Sequence, residues 1–289
     1  MWTPSRRQPP DAENERIRGP VPTRADVDGP GPSRHSPGVS TPDARPPIQI
    51  DPGLAPLAPP ERFAQLCAEH GIELEDREIE QLGLFLAILL DTNERLSLTA
   101  IKGEEESWER HVFDALTLLA VLHELPPGAK VIDVGSGTGV PAIPLAIALP
   151  ELRFTLVEAT GKKARFLEAT ASALGLENVH VEASRAELVG RDPKHREKHD
   201  VVIARAVGSL RILVELCLPL VSVQGRAVLV KGGRADEELA EASKAMAALH
   251  AEHLGTFDTP TGRLVILEKT KATGKRYPRR PGEPKRAPL

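Results

Sequence analysis

The strongest constraint on this chain is a ten-residue run, Val131-Ile-Asp-Val-Gly-Ser-Gly-Thr-Gly-Val140, in which an apolar segment passes directly into three alternate glycines. Glycine there admits positive φ and lets a ligand approach the main chain with no Cβ in the way. Pro141 and Pro144 follow, residues suited to the first turn of a helix, where a missing N–H would be unpaired anyway. A strand, a glycine turn and a helix start together form a corner that receives an anionic group. Such a corner belongs to a sheet of parallel strands joined by helical crossovers.

The pattern on either side agrees. Short apolar runs at 131–134, 154–157, 179–181, 201–204 and 227–230 read as buried strands. Helical segments are expected after the first four, at 144–149, 162–174, 185–189 and 209–218. A helix over 237–250 then leads to two closing strands, 253–258 and 264–268, joined by a turn at 259–263 as a hairpin. Upstream, Phe63, Leu66 and Cys67, then Ile79, Leu82, Phe85, Leu86 and Leu89, recur at helical spacing. A third helix is expected over 105–123, stopped by Pro126, Pro127 and Gly128. The expected architecture is an α/β fold of the class I methyltransferase (Rossmann-like) type. Its mostly parallel seven-stranded sheet carries helices on both faces, ends in an antiparallel hairpin and is preceded by a helical cap.

Composition bounds the rest. Fifteen of the 27 prolines fall in residues 1–60, which reads as a disordered leader: proline at that density interrupts helices and strands, and little apolar area offsets the ordering entropy. Seven acids and no apolar core in that leader argue against a secretory or transit signal. The methyltransferase domain is expected over 61–270, with the cap at 61–127 and the cofactor-binding sheet at 128–270. A basic tail is expected over 271–289. No apolar run is long enough for a membrane span. Cys67 and Cys217 fit neither a disulfide framework nor a zinc site, so no metal is expected and the compartment is read as cytoplasmic. Residues 269–289 carry eight basic groups and one acid, against an acidic body, which suggests an anionic partner for the tail.

For the ligand of the loop, Asp133 is placed to accept from an amino group and the helix start to meet a carboxylate, as S-adenosylmethionine would require. Glu158, ending the second strand, suits ribose hydroxyls. A nicotinamide or flavin nucleotide fits the same loop, because Gly137-x-Gly139-x-x-Ala142 also matches the dinucleotide fingerprint. Ala186-Glu187 after the third strand favours the methyl donor, whose adenine takes a small residue and an acid at that place. Ala204-Arg205-Ala206 at the fourth strand's end lacks the Asn-Pro-Pro-Tyr type of motif used on exocyclic amines, and no Pro-Cys pair offers a nucleophile for pyrimidine carbon. Methylation of a ring nitrogen stays open.

Several strings in order resemble one family, the RsmG (GidB) methyltransferases of bacterial small-subunit ribosomal RNA. They are Asn93, Leu98-Thr-Ala-Ile101, His111-Val-Phe-Asp114, the glycine loop with Pro141-Ala-Ile-Pro144, Lys162-Lys163 with Phe166-Leu167, Ala186-Glu187, Ala204-Arg-Ala-Val207, Lys231-Gly232 and Tyr277-Pro-Arg-Arg-Pro-Gly-x-Pro284. The resemblance runs from Phe63 to Leu289. It implies S-adenosylmethionine as cofactor, N7 of a guanine in 16S ribosomal RNA as target, and Gly135, Val140, Ala186, Glu187 and Arg205 in the donor pocket. The residues themselves add Asp133, Gly137, Gly139 and Glu158. Arg205 is the one candidate for a catalytic role, and Lys231, Arg279 and Arg280 are candidates for contacts to RNA phosphates. His111 and Asp114 are read as structural. Two positions depart from the family: Ala142 replaces a usual glycine, placing a methyl near the loop, and Ser97 replaces a usual asparagine.

Guanine N7 presents an in-plane lone pair, so its methylation needs alignment with the donor and no general base. The chain accordingly shows no convincing Ser/His/Asp, Cys/His or paired-carboxylate arrangement. The expected partner is ribosomal RNA or the small ribosomal subunit, met by a monomer. With aromatics at 3%, recognition should rest on shape and charge. The alternatives are a nucleotide-dependent oxidoreductase using the same loop and a non-catalytic RNA-binding module.

Overall fold

The computed structural model describes residues 47–289. The first 46 residues, most of the expected leader, lie outside the described residues. Residues 47–60 depart from that expectation. They run extended along the cap, with Ile48, Ile50, Leu54 and Leu57 packed against the core. The Leu57 N–H donates to the Gly83 carbonyl at 3.2 Å. Gly83 permits the approach, since a Cβ there would stand 2.3 Å from the Leu57 carbonyl oxygen. Four apolar anchors among prolines suffice, because PPII-like segments lose little entropy on docking.

The cap begins with α1 (Glu61–Glu69) and α2 (Asp76–Leu96). Glu75 opens α2 as a capping box with Glu78, whose carboxylate accepts the Glu75 N–H at 2.8 Å. The single helix expected over 105–123 is divided instead into α3 (Glu104–Ser107), a π-helical turn (Trp108–Phe113), α4 (Asp114–Leu116) and α5 (Leu119–Leu122). The wider turn brings Trp108, His111, Val112 and Phe113 all into the interior, more than one face of an α-helix would bury. Phe63 of α1 packs on Trp108 with ring centroids 4.6 Å apart. Beyond Leu116 the helix breaks where the Thr117 hydroxyl donates to the Asp114 carbonyl at 2.7 Å.

The α/β half follows in the order β1 (Lys130–Val134), α6 (Ala142–Ala148), β2 (Arg153–Val157), α7 (Gly161–Ala173), β3 (Val179–Glu182), α8 (Ala186–Val189), β4 (His199–Arg205), α9 (Leu210–Cys217), β5 (Val221–Lys231), α10 (Ala235–Glu241), α11 (Ser243–Leu249), β6 (Ala251–Thr259), β7 (Gly262–Lys269) and α12 (Glu283–Arg286). These strands form one seven-stranded sheet, β3-β2-β1-β4-β5-β7-β6, parallel except for β7, which is antiparallel to both neighbours. The helix expected over 237–250 is two helices meeting at Ala242. β5 starts at Val221 rather than 227, its first half disguised by Ser222 and Gln224, the latter at φ 70°.

Strand alternation splits the core between the two faces. Val131, Val201, Ile203 and Val228 face the cap, α6 and α7. Ile132, Val134, Val202 and Ala204 face α9, α10 and α11. From β1 the chain steps outward to β2 and β3, then returns across the sheet to β4 on the other side of β1. The crevice beyond the carboxyl ends of β1 and β4 is therefore the topological switch point, where open parallel sheets receive their ligands.

Residues 271–289 also depart from the expected free tail. They are stitched onto α8 and α9 by charge-assisted hydrogen bonds. The Arg196 guanidinium donates to the carbonyls of Gly190, Thr273 and Tyr277 at 2.8–2.9 Å. Arg191 Nε donates to the Pro278 carbonyl at 2.8 Å. Tyr277, Pro278 and Pro284 are buried. Lys269, fully buried at the start of this segment, donates to Glu197 at 2.7 Å and to the carbonyls of Leu218 and Val221, each at 2.8 Å. Acids of the body thus take two of the eight cations in this run, Glu197 pairing with Lys269 and Glu215 with Arg279.

Candidate functional site at the switch point

The three loop glycines all adopt positive φ, 77° at Gly135, 58° at Gly137 and 88° at Gly139. Their surroundings differ. A Cβ on Gly135 would stand 2.6 Å from Val207, and one on Gly139 would stand 2.6 Å from Ile143 and 3.1 Å from Leu167. Those two glycines let β4's extension and α6 close on the loop. At Gly137 the nearest atoms to such a Cβ are the Gly135 carbonyl oxygen at 3.7 Å and Lys163 Nζ at 4.0 Å, so a Cβ would meet ordinary contacts and the positive φ is what calls for glycine. Val140 is buried behind the loop. Ala142 is fully buried in the cap-side core, so its methyl is absorbed by packing.

Two carboxylates flank the loop. Glu158 accepts the Gly137 N–H at 2.9 Å with one oxygen and the Thr160 N–H at 2.7 Å with the other, which fixes the loop against the end of β2. Each oxygen keeps a lone pair for a hydroxyl donor. Asp133 is 1% exposed and neither carboxylate oxygen has a hydrogen-bond partner. Its burial pushes its pKa up to about 7 and the Glu158 charge adds to this, while the nearby Ser136 hydroxyl and, after it, Arg205 pull the other way. A buried carboxyl with no hydrogen-bond partner, at the start of a glycine loop, fits a cationic amino group. The α6 N-terminus offers less to an anion than expected, because the Gly139 N–H already donates to the Ser136 carbonyl at 2.8 Å.

Arg205 ends β4, one residue before Ala206 at φ 57°. Its guanidinium lies 2.7 Å from the Asp114 carboxylate and donates to the Arg110 carbonyl at 3.0 Å. Asp114 also accepts from the Thr261 hydroxyl, in the turn between β6 and β7. Burial holds the Asp114 carboxyl above its ordinary range, although Arg205 and Arg110 oppose this. His111 is pushed down to about 4, by burial first and then by Arg205 and Arg110, so it is neutral near pH 7. Its Nε2 stands 3.4 Å from the Thr99 hydroxyl.

The other expected positions divide. Ala186 and Glu187 begin α8, but the Glu187 side chain points to the C-terminal segment, accepting from Arg185 at 2.9 Å and from the Gly282 N–H at 2.7 Å. That dipeptide therefore presents backbone and the Ala186 methyl to a ligand. Lys231, expected at RNA phosphate, pairs with Glu238 at 2.8 Å and donates to the Gly208 carbonyl at 2.8 Å. Arg279 makes a fork-like pair with Glu215, with contacts of 2.9, 3.1 and 2.5 Å. Glu215 is fully buried, so Arg279 is a structural counter-ion instead of an outward phosphate contact. Arg280 is exposed, as are Lys285 and Arg286.

Several motif strings turn out to build the entry to the site. Asn93 Oδ1 accepts the N–H groups of Leu98 and Thr99 at 2.6 and 2.8 Å. Lys162 caps α2 by donating to the Leu96 carbonyl at 2.8 Å. Ser97 is the αL C-cap of α2, φ 50°, which is a conformation asparagine adopts more readily. Two residues near the site were not singled out from sequence. Lys163 was legible only as half of a Lys-Lys pair, and Thr261 lies in a hairpin turn with no chemical signature of its own.

A family model described as rRNA small subunit methyltransferase G (GidB) matches residues 78–263. The chain is 50% identical over 239 residues to a protein of Sorangium cellulosum named Ribosomal RNA small subunit methyltransferase G, a match covering 83% of this chain and 99% of that one. Proteins with the same name from Lactobacillus helveticus and Brevibacillus brevis are each 40% identical, over 80% and 79% of this chain and 99% and 98% of theirs.

Proposed function

Since this chain belongs to the rRNA small subunit methyltransferase G (GidB) family of enzymes, we propose that it moves the methyl group of S-adenosylmethionine to N7 of a guanine in 16S ribosomal RNA. The observation that carries the donor assignment is the unpartnered, buried Asp133 carboxyl at the end of β1, just before the glycine loop. When bound, the donor supplies an electrophilic sulfonium methyl group. Asp133 accepts from its ammonium, and Lys163, poised over the loop, offers a counter-charge to its carboxylate. Glu158 takes ribose hydroxyls with its free lone pairs. The Ala186-Glu187 backbone borders the adenine, and Arg205 closes the pocket from β4.

The residues have only to align and to exclude water, because N7 attacks with a lone pair that carries no proton. This suits a site where His111 is neutral, buried and already in contact with Thr99. Arg280, Lys285 and Arg286 are the exposed cations offered to RNA phosphate, in place of Lys231 and Arg279. Membership in a methyltransferase family leaves the oxidoreductase and non-catalytic readings without support. No helix among the described residues is long and apolar enough to cross a membrane. We place the protein in the cytoplasm, acting as a monomer on the small subunit or its RNA.

The test is incubation with labelled donor and undermethylated small subunits, followed by nucleoside mass spectrometry. Label in 7-methylguanosine is the expected result. Label confined to protein, or to another nucleoside, defeats the assignment.

A further inference from the structure

We propose that Asp114 and Thr261 are positioning residues for Arg205, so that the hairpin turn and the helical cap together set the geometry of the donor pocket. The inference rests on the reading above in which Arg205 meets the donor.

Three segments far apart in sequence converge on one guanidinium. The π-helical turn and α4 supply two partners, the Arg110 carbonyl, which accepts from the guanidinium at 3.0 Å, and the Asp114 carboxylate, which forms an ion pair with it at 2.7 Å. Residues 110 and 114 are four apart and share one helical face, which matches the spread of an arginine fork. The third segment is the turn, whose Thr261 hydroxyl donates to the other oxygen of Asp114. Arg205 thereby loses the rotamer freedom that a long side chain at a strand end would otherwise keep.

The turn itself is held in place. Arg263 pairs with Asp258 at 2.8 Å and with Asp236 at 2.6 Å, clamping both sides of the hairpin to α10. Gly262 lets the turn lie against β5, since a Cβ there would stand 2.5 Å from the Lys231 carbonyl oxygen. Thr261 is exposed, and its hydroxyl bond to Asp114 ties the turn to α4. Asp114 is 7% exposed, and an ordinary surface carboxylate would not be buried there without its two partners.

The test compares Thr261→Val, Asp114→Asn, Asp114→Glu and Arg205→Ala in the full chain, alone and in pairs. The measurements are donor KM, kcat on undermethylated small subunits, and thermal unfolding. Arg205→Ala is expected to raise donor KM at least about tenfold, and Thr261→Val and Asp114→Asn to change the same parameter about three- to tenfold. In the Arg205→Ala background both should add less than about twofold, because they act through the missing group. Asp114→Glu should recover part of the loss. Thr261→Val changes an exposed turn and is expected to keep its Tm, which separates positioning from folding. A defective Arg205→Ala with silent Thr261→Val and Asp114→Asn, or with fully additive doubles, overturns the positioning role alone. A silent Arg205→Ala overturns both that role and the donor reading of Arg205.

Discussion

The glycine loop and the C-terminal segment carry equally conspicuous signatures, three alternate glycines in one and a basic run in the other. The loop folds as its pattern implies, whereas in the basic run Lys269 and Arg279 turn inward and the other six cations are exposed. Glycines at 135, 137 and 139 report a local requirement, positive φ and close approach, that the backbone meets wherever the segment sits. Charge reports no such requirement. Arg279 serves buried Glu215 as readily as it would serve a phosphate, and one sequence read alone gives no view of which acid lies opposite.

The comparison breaks most sharply at Arg279. Arg279→Ala leaves Glu215 buried and uncompensated, with an expected loss of about 3–5 kcal/mol by denaturant titration. Arg280→Ala, one residue on and exposed, should leave stability unchanged and weaken RNA binding with a shallower salt dependence. An unchanged unfolding midpoint for Arg279→Ala would return the segment to the status of a free tail.

On the loop side, Gly137→Asp is expected to reduce donor affinity by about 100-fold or more, since it puts a side chain at a positive-φ position of the loop and adds a third acidic group near Asp133 and Glu158. Calorimetric titration reads this directly, and RNA affinity should hold. Gly139→Ala, by contrast, meets Ile143 and Leu167 and should act chiefly by lowering stability.

The pH dependence sharpens the role of Asp133. Its folded pKa near 7 exceeds the unfolded value, so the free protein loses stability from this group as pH rises from about 4 to about 7. Binding of an ammonium requires the ionised carboxylate. Donor affinity should therefore climb by up to about tenfold per unit between pH 5 and 7 and level off above, with proton release visible in buffers of different ionisation enthalpy. Asp133→Asn should flatten both profiles. Persistence of the slope in that variant would move the titration to another group.

The smallest effect concerns Ser97. Replacing it with asparagine, which tolerates the αL conformation better, should stabilise the protein by about 0.5–1 kcal/mol in thermal unfolding. A loss of RNA methylation without a stability gain would instead show that Ser97 meets substrate.

The sheet was legible almost strand by strand, because buried parallel strands such as 131–134 and 201–204 are continuous apolar runs that little else in the chain imitates. The carboxylates at 133 and 158 were legible because they sit at fixed offsets from those runs. What stayed hidden were features decided by distant partners. Thr261 gains its meaning only when the hairpin returns across 147 positions to Asp114. Glu187 carried an expected role at the donor, but its side chain is claimed by Gly282. The π-helical turn escaped because the apolar spacing of Trp108, Val112, Ala115, Leu116 and Leu119 in the sequence imitates one continuous α-helix. Residues 47–60 were misjudged because proline density outweighed four scattered anchors.

The tether between Glu187 and Gly282 also couples segments 95 residues apart. Glu187, Glu197 and Glu215 each accept from a residue between 273 and 282, namely Gly282, Thr273 and Arg279. Peeling that segment away would strip a donor from all three acids at once, and Glu187 and Glu215 are buried. Its detachment should therefore be a single cooperative opening, seen in hydrogen exchange as one shared rate.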